Sequence, residues 1–595
     1  MPAPSDLAAI GAAASPVFSR DGRTLFHLRG AGLPQVWALP LDDPAAARAL
    51  SHHAEKVAFL RRMPTDDRLL WGIDAGGDER QQLWLLEPGG VPRTLTADPR
   101  VSHDFGAISP DGTQIAYSAN DRDEGCCDVL VMELASGLRR RLLEGPGERL
   151  VTAWSSSGDR LAVIEDRSSS EQSLLLIDVL DGAVHAVPQP GPTRYAAARF
   201  AADGATLLAL TDQGGMFMQL CRLDARTGAA TPLFGPRERD VEAWSLSPDG
   251  VLLATIENDR GYALLRVGAL GEERPVATGP PAGIVGDLAW SPDSARLAFT
   301  AQGPTVPPGI WAWERASGVA SCLWQPDAEA DAGIDPARFV APRLVSWPSG
   351  DGTAIPGWFA TPLTAQPPGG YPAVIWVHGG PAAQVRADFR RDIQMLLDQG
   401  YAVLMPNVRG STGYGRAWME ADDIGCRDVA IADLVAARGW LAVQPGIAPE
   451  RIGLMGQSYG GWMVLAAITR HPELWRAAVE YYGIADWFTM LRDTGPWRRD
   501  HRAREYGVPG RDDAVLEALS PIRRAAAVTA PLLIAHGERD PRVPIGESER
   551  FVAALREHRK RVRYERFAYA GHGFIRPEHR RRIFAAVAAH FADHL

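Results

Sequence analysis

The chain lacks any apolar stretch of about 18 residues free of charge, the length a membrane-crossing helix needs, so no membrane span is expected. Cysteine is scarce and odd in number, five in 595 residues, with Cys126 and Cys127 adjacent. That count fits scattered reduced thiols in the cytoplasm better than a disulfide framework. The opening residues Met1-Pro2-Ala3-Pro4-Ser5-Asp6 lack a basic segment followed by an apolar one, so no secretory signal is expected. Positive charge is not in excess either. A net charge of −10 argues against nucleic acid as a partner, and the runs Arg559-Lys560-Arg561 and Arg580-Arg581-Arg582 read as solvated helix faces. No metal-ligand spacing and no phosphate-cradling loop stands out, so neither metal nor cofactor is expected. These absences leave a large soluble protein, and the length is ample for two cores.

Glycine is plentiful, 60 residues, and one cluster of it is informative. The apolar run Arg451-Ile452-Gly453-Leu454-Met455 leads into Gly456-Gln457-Ser458-Tyr459-Gly460-Gly461, and Trp462-Met463-Val464-Leu465-Ala466-Ala467 follows. Strand, Gly-x-Ser-x-Gly turn and helix describe a nucleophile elbow. There the serine hydroxyl must project clear of the sheet on a strained turn, and the flanking residues pass too close for side chains. As a bare pattern it arises by chance in a Gly-rich chain; its place between strand and helix gives it meaning.

A serine nucleophile needs a base, and the base needs an orienting acid, in the chain order Ser, Asp or Glu, His. Pro531-Leu532-Leu533-Ile534-Ala535 predicts a buried strand running into His536-Gly537-Glu538-Arg539-Asp540. Val562–Phe567 predicts a last strand, followed by Ala570-Gly571-His572-Gly573-Phe574 and a closing helix over 580–595. Asp540 and His572 therefore fall just past strand C-terminal ends, the edge where α/β sheets build their sites. Either alone reads as an ordinary loop residue; the ordered set Ser458, Asp540, His572 reads as a triad. His536 reads as a structural histidine. A tetrahedral oxyanion also needs donors. The Tyr459 N–H is one candidate, and the turn His378-Gly379-Gly380-Pro381 after Ala373–Val377 offers the other, assigned to Gly380 with Gly379 as the alternative.

Residues before about 340 repeat a motif of the form aromatic/Leu-Ser-Pro-Asp-Gly. Its second position falls at 19, 64, 109, 155, 201, 247 and 291, in steps of 45, 45, 46, 46, 46 and 44. A fixed period of this length, with four short strands per unit, predicts propeller blades. Each Asp-Gly is read as the turn between a blade's first and second strands. Ser136-Gly137, Asp181-Gly182, Thr227-Gly228 and Ser317-Gly318 mark a second turn before the fourth strand. A sandwich would not hold the period through seven repeats. Four antiparallel strands per blade put the chain's entry, its exit and the second-to-third-strand loops on one face, toward the following domain. Three such loops are rich in charge: 74–80, 120–124 and 257–260. They are able to hold a peptide terminus or simply to line a wet cavity.

The fold class is thus multidomain, a seven-bladed β-propeller over 1–340 followed by an α/β-hydrolase domain over 341–595. The His-Gly-Gly-Pro loop, Asn407-Val408-Arg409-Gly410-Ser411-Thr412-Gly413-Tyr414-Gly415, the Gly-x-Ser-Tyr-Gly-Gly elbow, His536–Pro544 and Gly571–Phe574 together resemble the prolyl oligopeptidase family of serine peptidases. The acylaminoacyl- and dipeptidyl-peptidase-like branch is the nearer. The resemblance implies short peptides as substrates, with the propeller limiting access, and leaves a homo-oligomer possible. It also implies substrate-binding roles for Arg542, toward the carbonyl of the residue before the cleaved one, and for Trp487 and Trp497 in an apolar pocket. Bland readings stand beside these: a surface ion pair for Arg542, core packing for either tryptophan. The spacing to Trp497 departs from the prolyl-specific members, which argues against strict proline preference. Two other functions stay open, an esterase using the same triad and a catalytically silent binding scaffold. A scaffold has no physical need of an intact triad, and fluorophosphonate labelling of Ser458 separates it from both enzymes.

Overall fold

The computed structural model describes residues 6–595 apart from 202, 205, 273, 277 and 278. The opening Met1–Ser5 and one position of the fifth repeat, Ala202, therefore lie outside the described residues. Seven four-stranded antiparallel sheets come first, each built from four consecutive strands. They span 12–49, 57–94, 103–143, 148–186, 195–234, 241–275 and 284–324. The repeat motif sits where the sequence places it, between first and second strands. Its chemistry is a side-chain turn: Ser19, Ser109 and Ser291 each donate to the Asp two residues on, at 2.6 Å. The aspartate in turn accepts a backbone N–H, as Asp111 does from Thr113 at 3.1 Å. The glycines that follow, such as Gly22 and Gly112, have φ near +70°, which a side chain resists. Blades one and seven share no strand. The ring closes by packing Ala13, Phe18, Leu25 and Leu39 against Ala298 and Ile310.

The second domain is one eight-stranded sheet. Its strands are β1 (Arg343–Pro348), β2 (Ala354–Ala360), β3 (Tyr371–Val377), β4 (Ala402–Pro406), β5 (Ile447–Gln457), β6 (Ala478–Tyr481), β7 (Leu532–Gly537) and β8 (Val562–Phe567). They lie in the order β1-β2-β4-β3-β5-β6-β7-β8, parallel from β4 onward. Strands β3 and β4, residues 452–456 of β5 and the start of β7 are apolar and buried because helices cover both faces. Helices α1 (Arg391–Asp398) and α5 (Pro577–His594) cover one face; α2 (Asp428–Ala442) and α3 (Tyr459–Arg470) cover the other. Helix α4 (Arg499–Tyr506) reaches over the sheet's C-terminal edge to the propeller.

The second-to-third-strand loops face this domain, as blade topology requires. Glu79 pairs with Arg542, and Asn258 donates to Gln384 at 2.7 Å. Blade residues beside these loops add Arg416 to Asp212 at 2.6 Å and Arg386 to Glu242 at 2.7 Å. One difference from the sequence reading concerns the amino terminus. The turn Asp6–Ala9 is no part of the ring. Leu7, Ala8 and Ile10 enter the hydrolase core beside Ile583, Phe584 and Ile393, and Arg391 holds the Ile10 and Gly11 carbonyls at 2.8 Å. A short apolar segment ahead of the first blade has no blade partner, so it is buried where an apolar surface is open.

Candidate active site

Ser458 ends β5 and begins α3. Its φ of +57° is left-handed, a strained state for a residue with a side chain. The flanking glycines permit it. A Cβ on Gly456 would strike the Gly460 carbonyl, and one on Gly460 would come within 2.5 Å of the His378 carbonyl. The Ser458 hydroxyl meets His572 Nε2 at 2.9 Å, and His572 Nδ1 meets Asp540 Oδ2 at 2.6 Å. Asp540 is buried, yet its Oδ1 accepts the backbone N–H groups of Arg542 and Val543 at 2.8 and 3.0 Å. Burial raises its pKa, but the imidazoles of His572 and His536 outweigh that and hold it well below the usual carboxylate range. The three side chains named from sequence are thus brought into one hydrogen-bonded chain. His536 is fully buried between Ser548 Oγ at 2.7 Å and the Val543 carbonyl at 2.8 Å, fixing the Asp540 loop.

The His378–Pro381 turn approaches from β3. His378 spans the Gly379 carbonyl and Ser411 Oγ at 2.7 and 2.9 Å, and burial pulls its pKa down to about 4, so it stays neutral. A Cβ on Gly379 would lie 3.1 Å from that of Ser458; only glycine allows the loop so near. Among the described residues neither Tyr459 N–H nor Gly380 N–H has a protein acceptor. The Tyr459 N–H belongs to the first turn of α3, where donors are unfilled and the helix dipole is positive. Beneath it, the Tyr459 hydroxyl donates to Asp422 at 2.6 Å, and Arg427 pairs with Asp422 at 3.0 Å, both side chains fully buried. A hydroxyl on a strained turn, an imidazole poised by a carboxylate and unfilled donors beside them can carry out acyl transfer.

Over Ser458 opens a cavity of about 480 Å³. Trp376, Tyr482, Arg390, Arg502, Glu505 and Arg542 line it together with the two loops, and Ser169 enters from the propeller. Arg542 is therefore at the cavity, with Glu79 as its partner. Neither tryptophan expected from sequence is among the lining residues. Trp487 is fully buried, its ring 4.4 Å from that of Tyr506, and Trp497 lies half-buried on the turn Pro496–Arg498. Both readings as pocket walls are corrected here, since aromatic type and spacing do not tell which face a side chain takes. Sequence reasoning missed Arg390, Arg502, Glu505 and Tyr482. None sits in a motif, and Tyr482 is marked only by its φ of +42°.

Residues 387–595 match the prolyl oligopeptidase family model. The chain is 27% identical to dipeptidyl aminopeptidase BIII of Pseudoxanthomonas mexicana over 96% of its own length and 85% of that protein's. It is 31% identical to the human acylamino-acid-releasing enzyme, over 32% of this chain and 27% of that one. Among solved structures, the Mycobacterium tuberculosis puromycin-hydrolyzing peptidase superposes with a TM-score of 0.84 at 22% identity, covering 100% of this chain and 96% of that one. Family model, relatives and two-domain fold thus agree: residues 387–595 match the prolyl oligopeptidase family of serine peptidases, and the chain as a whole is similar to its members.

Proposed function

We propose that the protein is a cytoplasmic exopeptidase that removes short fragments from the free amino terminus of small peptides. Ser458 attacks the carbonyl; His572 takes its proton and gives it to the leaving amine. Asp540 keeps the imidazole in the right tautomer, and the N–H groups of Tyr459 and Gly380 hold the oxyanion. Arg542 positions the substrate carbonyl. Five unpaired thiols support the location, and among the described residues no helix is long and apolar enough to cross a membrane.

One observation carries the amino-terminal preference. Asp104, Glu148 and Asp166, half-buried on the third and fourth blades, stand within electrostatic reach of Arg498 and Arg502 at α4, beside Glu505 of the cavity wall. Burial and then Glu148 push Asp104 up to about 7; burial, with Glu148 adding, pushes Asp166 up to about 6. Burial disfavours the charge on these carboxylates, and a substrate ammonium brought beside them would offset that cost. The relative matching most of the chain is named a dipeptidyl aminopeptidase. A second reading, release of acylated residues, is favoured by the lining itself, where Arg390, Arg502 and Arg542 outnumber Glu505.

Peptides with free and acetylated amino termini separate the two. The free amine is expected to be preferred, and Glu148→Gln to reduce that preference about 10-fold or more, the size of one charge-assisted hydrogen bond. Faster cleavage of acetylated peptides would reverse the assignment. Ser458→Ala should abolish turnover by several orders of magnitude while the fold persists; near-full activity would sink the triad.

A further inference from the structure

A second cavity, of about 290 Å³, adjoins the first and shares Arg390, Gln457 and Tyr482 with it. It lies between the start of α1 and helix α5, walled further by Phe574 and Phe584. Its side of the site is set by His572. The Tyr482 ring stands 4.4 Å from the His572 ring, Phe574 follows His572 by two residues, and Gln457 precedes Ser458. His572 itself lines the first cavity, with Ser169, Glu505 and Arg542, and the second cavity opens off it behind Tyr482 and Gln457. His572 passes its proton to the departing nitrogen when the C–N bond breaks, and the space next to its ring beyond Tyr482 is this second cavity, open to the leaving group.

Three arginines line this cavity, and two are occupied. Arg391 holds the Ile10 and Gly11 carbonyls, and Arg580 holds those of Phe574 and Ile575. Arg390 is different. Its guanidinium carbon stands 3.9 Å from the centre of the Trp376 ring, a cation–π contact that helps hold the side chain in place. Its nearest carboxylates, on Asp388 and Asp392, are 3.7 Å away, beyond hydrogen-bond length. Among the described residues it donates no hydrogen bond, and its buried Nε–H is unmatched. Asp388 and Asp392, which line the same cavity, thus pair with it only at ion-pair range, and a planar fork without a close hydrogen-bonded partner where two cavities meet can take a carboxylate.

We propose that Arg390 binds the free carboxylate of the leaving fragment, making the enzyme selective for substrates that end one or two residues past the cut. The volume agrees, near the lower end of the roughly 300–1,000 Å³ of ligand pockets. The inference rests on the triad reading above.

The test uses three substrates with one acyl part, drawn from whichever of Ala-Phe, Gly-Pro or Ala-Ala the wild-type protein cleaves as its p-nitroanilide. The other two carry Ala in place of the anilide, once as the free acid and once as the amide. The wild type should favour acid over amide by about 10- to 100-fold in kcat/KM, the worth of a charge-assisted pair. Arg390→Gln should bring that ratio near one through a higher KM for the acid, and Arg390→Lys should restore part of it. A wild-type ratio near one, a ratio unmoved by Arg390→Gln, or equal losses on all three substrates would overturn the proposal while anilide cleavage, abolished in Ser458→Ala, leaves the triad standing. Cleavage of none of the anilides would overturn the exopeptidase reading and this inference with it.

Discussion

Asp422 illustrates how a residue outside the chemistry fixes it. It is wholly buried, bonded to Tyr459 and Arg427, and its carboxylate fills the space a Cβ on Gly410 would need. Two full charges in an apolar interior are tolerable only as a pair. Arg427→Met should therefore destabilise the protein by about 3–5 kcal/mol, because it leaves Asp422 buried and unpaired. Urea unfolding measures it; a change below about 1 kcal/mol would mean that water reaches the site. Arg542 makes the opposite case, an exposed-edge residue whose partner Glu79 comes from the propeller. Arg542→Ala should lower kcat/KM for peptides by about one to two orders of magnitude, the loss of one charge-assisted bond. Hydrolysis of p-nitrophenyl acetate, which offers it no second carbonyl, should fall far less. Equal losses on both would assign Arg542 to support of the Asp540 loop. Ser458, Asp540 and His572 were legible in the sequence because each follows a recognisable strand. Trp487 and Trp497 were misread because their fate depends on how α4 packs, which local sequence does not encode. Arg390 was invisible for the same reason: its meaning lies in Trp376 and Tyr482, distant in the chain.

Elements were legible where a period or a turn chemistry repeats. The 45-residue step located the blades because the turn recurs at a fixed spacing, and Ser19, Ser109, Ser247 and Ser291 hold it in the same hydrogen-bonded form while the other copies are degraded. The amino-terminal turn escaped because nothing in Leu7-Ala8-Ile10 distinguishes a blade segment from one docked on α1 and α5. The elbow is the element where geometry is tightest. Gly460, on the first turn of α3, lies against the carbonyls of Val377 and His378, the end of β3 and the start of the oxyanion loop. Gly460→Ala should thus push α3 and that loop apart and separate the Tyr459 and Gly380 N–H groups. Losing one donor costs about 10²–10³ in kcat. The expected result is a kcat reduced by that order with KM little changed, in a protein that still folds. Wild-type kcat in Gly460→Ala would mean that the loop moves freely and that its close approach has no catalytic consequence.

At the scale of the whole molecule, the active cavity lies between the sheet edge and the propeller face, so substrate size depends on how firmly the domains are held. The clamps are ionic: Arg542 to Glu79, Arg576 to Glu55 at 2.7 Å, Arg386 to Glu242 at 2.7 Å, and Arg416 to the buried Asp212 at 2.6 Å. All but Asp212 keep partly exposed side chains, and salt screens exposed pairs as the Debye length falls from about 10 Å at 0.1 M to about 3 Å at 1 M. Short peptides should be cleaved and stable globular proteins should not. Rising salt should speed cleavage of longer peptides relative to tripeptides, because loosened clamps admit length without altering the triad. The hydrolase domain expressed from residue 341 is a poor control, since it lacks Leu7 and Ile10 of its own core and the Tyr262 ring that packs 5.2 Å from Trp358. Asp212→Ala in the full chain is the better one. It removes the shared partner of Arg416 and Arg194, and should raise the long-to-short ratio at low salt while blunting its salt dependence. A ratio indifferent both to salt and to Asp212→Ala, or a globular protein cut as fast as a tripeptide, would show that the propeller does not select by size.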